Sequence, residues 1–294
     1  MPVPEDVGDG VSGRLGAFQT LMGAFGRKRS LSIVRCAGAS DRRPALFQVI
    51  VRGIFMENHH WITLHRVRFS EESSALERSF ELPATAECWR FCPSQNVGPD
   101  GLPLWRSDVW CGLGVFETRD AAEKAVSDPA DFLPFLADVE EGWHALTMPV
   151  THRGEVNWRG EIEKNAAVQV ADKDPSGPLA VITTAGFWSS DASEHDRIAR
   201  FLDGVEQVVD FFGESEGNLR RGVFNGGFDG REGFTVSLWR DDKAMMKAAY
   251  WEGTHRRLMD ESRDGSFFDR SSFTRARILS SHGSWDGDPL QSVR

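Results

Sequence analysis

One histidine stands in a setting that favours metal chemistry. His255 lies within the segment 250–258, YWEGTHRRL, directly after the helix-forming stretch 240–249. A neutral imidazole is a common ligand for iron in proteins. Gly253 should kink or loosen a helix at this point, because Gly costs about 1 kcal/mol in a helix interior. The sequence therefore makes His255 a candidate metal ligand, and the alternative is a surface or capping histidine.

Two arginines follow on the last predicted strand. In the segment 273–279, FTRARIL, Arg275 and Arg277 are two residues apart. The period of two in a strand places both side chains on one face. Strand arginines that face a cavity can bind carboxylates, such as the propionates of a haem, or polarise bound oxygen. The alternative is a pair of side chains that face solvent.

Motifs of other chemistries are missing from the sequence. It has no G-x-S-x-G, no P-loop and no G-x-G-x-x-G after a strand, and its acidic residues are scattered. Cys88 and Cys92 lack the C-x2-C spacing of a zinc or redox site, so we expect reduced cysteines in a cytoplasmic protein. The other histidines, which form no H-E-x-x-H motif, are His59, His60, His65, His144, His152, His195 and His282.

Charge and hydropathy exclude some classes of partner. The formal net charge is −10, which argues against general nucleic-acid binding because phosphate backbones attract Lys and Arg. No apolar run reaches the roughly 20 residues that span a bilayer. Prolines and acidic residues stand where a signal peptide would be basic. The 10 Trp and 20 Phe supply material for a substantial core.

Two parts of the chain repeat each other when the sequence is shifted by 123 residues. The predicted strand 110–116 and the helix start after it then match the strand 234–239 and the stretch that follows. Both copies also end in a similar phrase, NWRG at 157–160 and SWDG at 284–287. The shift pairs Phe116 with Trp239, Ala121 with Ala244, Lys124 with Lys247 and Ala125 with Ala248. We infer a duplicated domain.

Each copy is predicted to have the order β-α-β-β-α-β of a ferredoxin-like unit. The opening strands are 61–69 and 179–187, and the second copy has a long amphipathic helix at 194–213 that should stop at Gly213. The equivalent stretch of the first copy, near 71–82, is shorter.

The repeat predicts an α+β fold with two ferredoxin-like halves, 59–162 and 179–294. Residues 163–178, rich in Asp, Pro and Gly, have the composition of a linker. Two such halves can pair their sheets into a pseudo-dimeric αβ barrel, which covers sheet edges that would otherwise template aggregation.

The two copies differ at the candidate ligand. The shift places His255 of the second copy on Phe132 of the first. One copy keeps an apolar residue, and the other has an imidazole. If duplication preserves packing, a position that changes its chemistry is a candidate for function.

The first 58 residues precede the repeat and are predicted to be an N-terminal extension. Residues 1–14 have the composition of a disordered lead-in. Residues 15–26 have an apolar face at helical spacing and are followed by three basic residues. This helix could touch an anionic membrane or pack on its own domain or a partner. Residues 46–55 are predicted to form a strand.

Four segments of the C-terminal half resemble the spheroidene monooxygenase family: FTVSLWRD, AYWEGTHR, FTRARIL and GSWDGDPL. The resemblance runs with gaps from about Trp61 to Leu290. That family inserts oxygen at a carotenoid carbon and is understood as haem-containing, with a dimeric αβ-barrel architecture. The resemblance implies that His255 is the axial ligand of a haem b iron and that Arg275 and Arg277 are pocket residues.

The residues and the resemblance together suggest a haem-dependent monooxygenase. It would oxidise a hydrophobic small molecule with O2 or peroxide and an electron donor. Ser237, Trp239 and Trp251 are candidate cofactor-binding residues, although strand parity lets only some of them face a pocket. The alternatives are a non-catalytic αβ barrel that binds a hydrophobic ligand or partner, and a haem enzyme of dehydratase or peroxidase type. Homodimer formation and peripheral membrane contact stay open.

Overall fold

The computed structural model describes residues 59–70, 85–97, 103–134, 136, 139–154, 168–189, 191–225, 232–251, 253–261 and 267–290. These residues belong to the compact unit Ile54–Arg294, and the other unit, Met1–Gly53, lies outside the described residues. The predictions for 1–14, 15–26, 46–55, 71–82 and 157–160 also concern residues outside this description.

The described chain consists of antiparallel strands and connecting helices, of which one is long. The strands are β1 (Trp61–Phe69), β2 (Cys88–Val97), β3 (Pro103–Phe116), β4 (Val139–Gly154), β5 (Leu179–Gly186), β6 (Asn218–Asn225), β7 (Glu232–Trp239) and β8 (Arg270–Gly283). The helices are α1 (Arg119–Ser127), α2 (Pro129–Phe132), α3 (His195–Glu214), α4 (Asp242–Met246) and α5 (Thr254–Glu261). A π turn, Lys247–Trp251, continues α4. The predicted mixture of helices with an antiparallel sheet is confirmed.

The eight strands close into a barrel in the order β1-β3-β2-β6-β7-β5-β8-β4. Strands β1 to β4 therefore follow the order β4-β1-β3-β2, and strands β5 to β8 follow the order β8-β5-β7-β6. The two groups meet along a long β4–β8 pairing that runs from Trp143–Gly283 to Gly154–Ser272. At the other junction, β2 and β6 share the single pair Ser94–Phe224.

The barrel interior is an apolar core to which every strand contributes. Alternate residues of each strand point inward, as in other small barrels whose interiors are filled by side chains. Trp285, from the segment after β8, also enters this core and lies 5.5 Å from Trp143 between ring centroids. The strand residues of the core are Ile62, Leu64, Cys92, Cys111, Leu113, Val115, Trp143, Ala145, Ala180, Ile182, Phe224, Phe234, Val236, Leu238 and Ile278.

The helices cover the outer face of the sheet. Thr118 caps the start of helix α1. Its hydroxyl accepts a hydrogen bond from the amide of Ala121, which satisfies one of the free donors of the first turn. The face of α1 with Ala122, Ala125 and Val126 is buried against the outer face of β1 to β4. Helix α4 begins in the same way, with Asp241 accepting from the amide of Ala244.

The long helix confirms its prediction except at its end. Helix α3 continues through Gly213 to Glu214, and the amide of Ser215 then bonds to the carbonyl of Phe212. Gly213 therefore does not end the helix, and a glycine is needed there because a neighbouring side chain packs against its backbone. The guanidinium of Arg221 lies where a Cβ at Gly213 would be, and its Nε donates to the carbonyl of Val209 at 2.5 Å.

The described part of the predicted linker is bound to the barrel. Val168 is buried in the interior core. The amide of Ala171 donates to the carbonyl of Pro149 at 2.8 Å, and the amide of Ile278 donates to the carbonyl of Pro178 at 3.1 Å. Residues 168–178 thus follow the ends of β4 and β8, although they have no regular secondary structure.

Two glycines close the β4–β8 pairing, and one of them gives a stability test. Gly154 and Gly283 have φ values of 79° and 82°, and a Cβ at either would collide with a carbonyl oxygen of the opposite strand. We expect Gly283→Ala to lower the free energy of unfolding by about 1–3 kcal/mol in urea denaturation. Gly287→Ala is the control, because Gly287 has φ 75° but no atom within 4 Å of its Cβ position. Equal losses in the two variants would contradict the clash.

Candidate functional site

His255 lies in the first turn of α5, where its ring is partly buried against α3. Its Nδ1 is 2.6 Å from the carbonyl oxygen of Ala249, in the π turn. The ring centroid lies 5.5 Å from that of Phe212 and 6.4 Å from that of Tyr250. Burial lowers the pKa of His255, and the hydrogen bond to Ala249 opposes this only in part. The imidazole is therefore neutral at pH 7, and the carbonyl fixes its remaining proton on Nδ1.

Two of the predicted pocket residues lie in the same neighbourhood. Trp239 and Ser237 share the outer face of β7, and the indole Nε1 donates to the Ser237 hydroxyl at 2.9 Å. Both side chains are buried. The Trp239 ring meets Phe212 edge-on at 5.1 Å. Phe212 thus connects His255 to the sheet, a role that the amphipathic pattern of α3 gave no reason to single out.

The third predicted pocket residue is placed differently. Trp251 is the last residue of the π turn and is 62% exposed. The structure therefore brings Trp239 and Ser237 near His255 but leaves Trp251 at the surface.

The two arginines form ion pairs with acidic residues of the linker and of α4. Arg277 is 2% exposed, and it donates to the Asp174 carboxylate at 2.5 and 2.7 Å and to the carbonyl of Gly177 at 2.7 Å. The Asp242 carboxylate also pairs with both Arg277 and Arg275. The hydrogen bond from Arg277 lowers the pKa of Asp174. Arg275 and Arg277 do share a face, as predicted, but that face is turned to protein carboxylates.

The outer faces of the two groups of strands can be compared position by position. The pair Trp61–Phe116 joins β1 to β3, and the pair Leu179–Trp239 joins β5 to β7 at the matching place. Counting four residues along each first strand, His65 corresponds to Thr183. His65 is 0% exposed, whereas Thr183 is only partly buried.

The contrast in burial extends to five further pairs of outer positions. At each of them the side chain of the first group is buried and that of the second group is partly exposed, and three of the second-group residues are clearly smaller. The corresponding pairs, read from the strand registers, are Val67 and Ala185, Trp89 and Arg221, Phe91 and Val223, Trp110 and Gly233, and His144 and Phe273. Among the described residues, these positions of the second outer face, on the side of the barrel that carries His255, are therefore less buried than their counterparts on the first face.

The filled face contains a row of three histidines that sequence reasoning missed. His65, His144 and His282 pair directly across β1, β4 and β8. The Nδ1 atoms of His65 and His144 are 3.0 Å apart, and His282 Nε2 donates to the carbonyl of Val126 at 2.5 Å. Spacing in sequence could not show this row, since only the strand register brings the three residues together.

No shared metal site and no membrane-spanning helix occur in the described part of the chain. Among these residues no three His, Cys, Asp or Glu side chains are placed to hold a metal ion together. None of the helices described combines the length and the apolar composition needed to cross a bilayer. Cys92 and Cys111 are free thiols in the barrel core, and burial raises the pKa of Cys92 to about 12.

The chain resembles a known oxygenase in sequence. No protein-family model matches the chain. Spheroidene monooxygenase from Rhodobacter capsulatus is 26% identical over 191 residues, which are 65% of this chain and 74% of that protein. The resemblance to spheroidene monooxygenase predicted from the sequence is thereby confirmed.

Solved structures give weaker likenesses. A candidate monooxygenase from Fusobacterium nucleatum subsp. nucleatum is 10% identical with a TM-score of 0.33, over 80% of this chain and 100% of that one. An anthrone oxidase-like protein is 13% identical with a TM-score of 0.28, over 80% and 97% of the two chains. At these scores neither likeness bears on function.

The histidine row predicts acid sensitivity. Burial and the neighbouring His144 lower the pKa of His65 well below 6.5, and burial lowers the pKa of His144 to about 4. Below pH 6.5 the unfolded chain therefore binds more protons than the folded chain, so stability falls with pH. We expect His144 to contribute a loss on the order of 3 kcal/mol in the free energy of unfolding between pH 6.5 and 4.

Urea denaturation across this pH range measures the effect. His144→Phe should flatten the fall in unfolding free energy, because it removes the titrating group and keeps a ring at the site. His195→Gln, at an exposed residue at the start of α3, should leave the fall unchanged. An unaltered pH dependence in His144→Phe would show that the row does not control acid stability.

Proposed function

We propose that this protein is a haem-dependent monooxygenase that acts on a hydrophobic small molecule, with His255 as the axial ligand of the iron. The similarity to spheroidene monooxygenase supports the oxygenase chemistry. The observation that carries the proposal is a neutral, partly buried imidazole on the side of the barrel where the described residues of the sheet face are partly exposed.

The donor at His255 fits a haem iron. Its Nδ1 proton is held by the Ala249 carbonyl, so the lone pair of the neutral ring is on Nε2, and Nε2 has no hydrogen bond among the described residues. Ligating histidines commonly have their second ring nitrogen bonded to a carbonyl or carboxylate in this way. Haem iron is commonly held by one proximal histidine, so a single imidazole is a sufficient protein ligand.

The surroundings also fit a flat, largely apolar cofactor. Phe212 supplies aromatic surface next to His255, and the buried Trp239 packs edge-on against Phe212. Thr183, Ala185 and Thr235 provide a partly exposed floor of small side chains on β5 and β7. The cofactor would supply the activation of O2 or peroxide, while the protein orients the ligands and keeps water from the buried part of the site.

The proposal gives Arg275 and Arg277 a supporting role only. Their ion pairs with Asp174 and Asp242 tie β8 to the linker and to the start of α4. Because α4 leads into the π turn, this network steadies the segment that presents His255. Direct contact of either arginine with a propionate or with oxygen would require those ion pairs to open.

A duplication of one ferredoxin-like unit is part of the same proposal. It is supported by the matching strand orders of the two groups and by Gly154 and Gly283, which end β4 and β8 with the same positive φ. In the 123-residue match His255 of the second copy stands against Phe132 of the first, although Phe132 ends α2 and His255 lies at the start of α5. The same proposal includes a hydrophobic substrate, an electron donor and a cytoplasmic location.

One observation favours a non-catalytic alternative. His255 and Arg256 both bond to carbonyls at the end of the π turn, those of Ala249 and Tyr250. A histidine that only caps a helix end would have the same bond. The barrel would then bind a hydrophobic ligand or partner without iron.

Hemin titration of the purified protein separates the two functions. We expect a one-to-one complex with a Soret band in the wild-type protein. His255→Ala should lose stoichiometric binding or shift the band strongly, and added imidazole should restore the band in part. His195→Ala is the control, since His195 is exposed at the start of α3. A wild-type protein that stays colourless with hemin would support the non-catalytic alternative.

Filling the sheet face tests where the cofactor lies. Thr183→Phe places a ring at the position that corresponds to His65, so it should weaken hemin binding at least about tenfold while unfolding stability changes little. Thr151→Phe, at an exposed position of β4, is the matched control. Unchanged hemin affinity in Thr183→Phe would place the cofactor elsewhere.

A further inference from the structure

The helix that leads to His255 changes its geometry at one place. Helix α4 ends at Met246, and Lys247–Trp251 continues as a π turn. In the first group of strands, Lys124 stands at the place of Lys247, since each lies eight residues after the end of its strand at Phe116 or Trp239. There the helix stays regular, and the amide of Asp128 bonds to the carbonyl of Lys124 at 3.0 Å.

The π turn and the histidine therefore occur together. In the first group α1 is regular and Phe132 ends the short helix α2 that follows it, whereas in the second group a π turn precedes His255 at the start of α5. A π turn accommodates one extra residue in a helix and is frequent at functional sites. It also shifts the directions of the last carbonyls relative to those of a regular helix.

Two of these carbonyls are bound by side chains of α5. Ala249 is buried, and its oxygen lies 2.6 Å from His255 Nδ1. The oxygen of Tyr250 accepts from Arg256 at 3.3 Å. Helix ends leave carbonyls without intrahelical partners, and here an imidazole satisfies the buried one. Since a carbonyl oxygen can only accept, the bond requires a proton on Nδ1.

Gly253 turns the chain so that this bond can form. Its φ is 87°, and a Cβ there would collide with the ring of Phe211 on α3. Two residues after Gly253, His255 meets the carbonyl of a residue six positions earlier.

We propose that the π turn Lys247–Trp251 is a positioning element that holds His255 as the Nδ1–H tautomer through the Ala249 carbonyl, leaving the Nε2 lone pair for a metal. The use of the Nε2 lone pair for a metal rests on the proposed function. The tautomer itself is a property of the protein without cofactor. Ala249 and the turn do not contact the iron in this proposal, and they act through His255.

Nitrogen-15 NMR of the cofactor-free protein tests the tautomer directly. Long-range proton–nitrogen spectra at pH 7.5, assigned with His255→Gln, should show His255 with a protonated Nδ1 and an unprotonated Nε2. An Nε2–H tautomer for His255 in the wild-type protein would overturn the proposal. This outcome does not depend on whether any variant folds.

Removal of one residue from the π turn tests its role. Deletion of Lys247, which is exposed, should convert the turn to a regular helix and move the Ala249 carbonyl. Lys247→Ala keeps the length of the turn and is the matched control. In the deletion variant we expect a mixture of His255 tautomers and about 10–100-fold weaker hemin binding, the usual effect of losing such a partner, while Lys247→Ala matches the wild type.

The outcomes distinguish this inference from the proposed function. An Nδ1–H tautomer that is lost on deletion, in a protein that ignores hemin, would support the positioning element and reject the haem enzyme. Hemin binding through His255 with an unchanged tautomer in the deletion variant would support the enzyme and reject the positioning role of the turn.

Discussion

The structure depends on burying two apolar sheet faces against each other. Each group of four strands has an inner face of residues such as Leu64, Leu113, Ile182 and Leu238, and neither face could stay exposed to water at a cost of roughly 25 cal/mol for each Å² of apolar surface. Closing the barrel buries both at once. The long β4–β8 pairing fixes the register of this closure, and the register determines which residues face outward.

Barrel closure leaves two outer sheet faces, and these faces differ in how deeply their side chains are buried. The first is filled by rings, including His65 and Trp89, and its helices pack directly on them. The second carries Thr183 and Val223 at the corresponding places and is only partly covered. A barrel of eight strands has no room for a ligand inside when side chains fill it. A large ligand is therefore expected on an outer face, and the second face is the one beside His255.

The sequence predicted the bounds of several strands and helices well, because the patterns that indicate them are local. Strands 61–69 and 179–187 and the helix 194–213 appear within one residue of their predicted bounds, since alternation and helical periodicity depend on near neighbours. The stop expected at Gly213 was wrong, because the packing of Arg221 required that glycine. His255 was singled out by the 123-residue match within the sequence. Its partner, the Ala249 carbonyl, could not be predicted, because a change from α-helix to π turn leaves no pattern in side-chain types.

The sequence by itself determined the elements, the repeat of strand and helix, the unequal pair Phe132 and His255, and the resemblance to spheroidene monooxygenase. Only the tertiary structure decided which side chains meet. It paired Arg277 with Asp174, 103 residues away, and it aligned His65, His144 and His282 across three strands. The physical reason is that periodicity assigns a residue to a face, whereas contact requires the strand register and barrel closure. These are set by the burial of the whole core, to which every strand contributes a part.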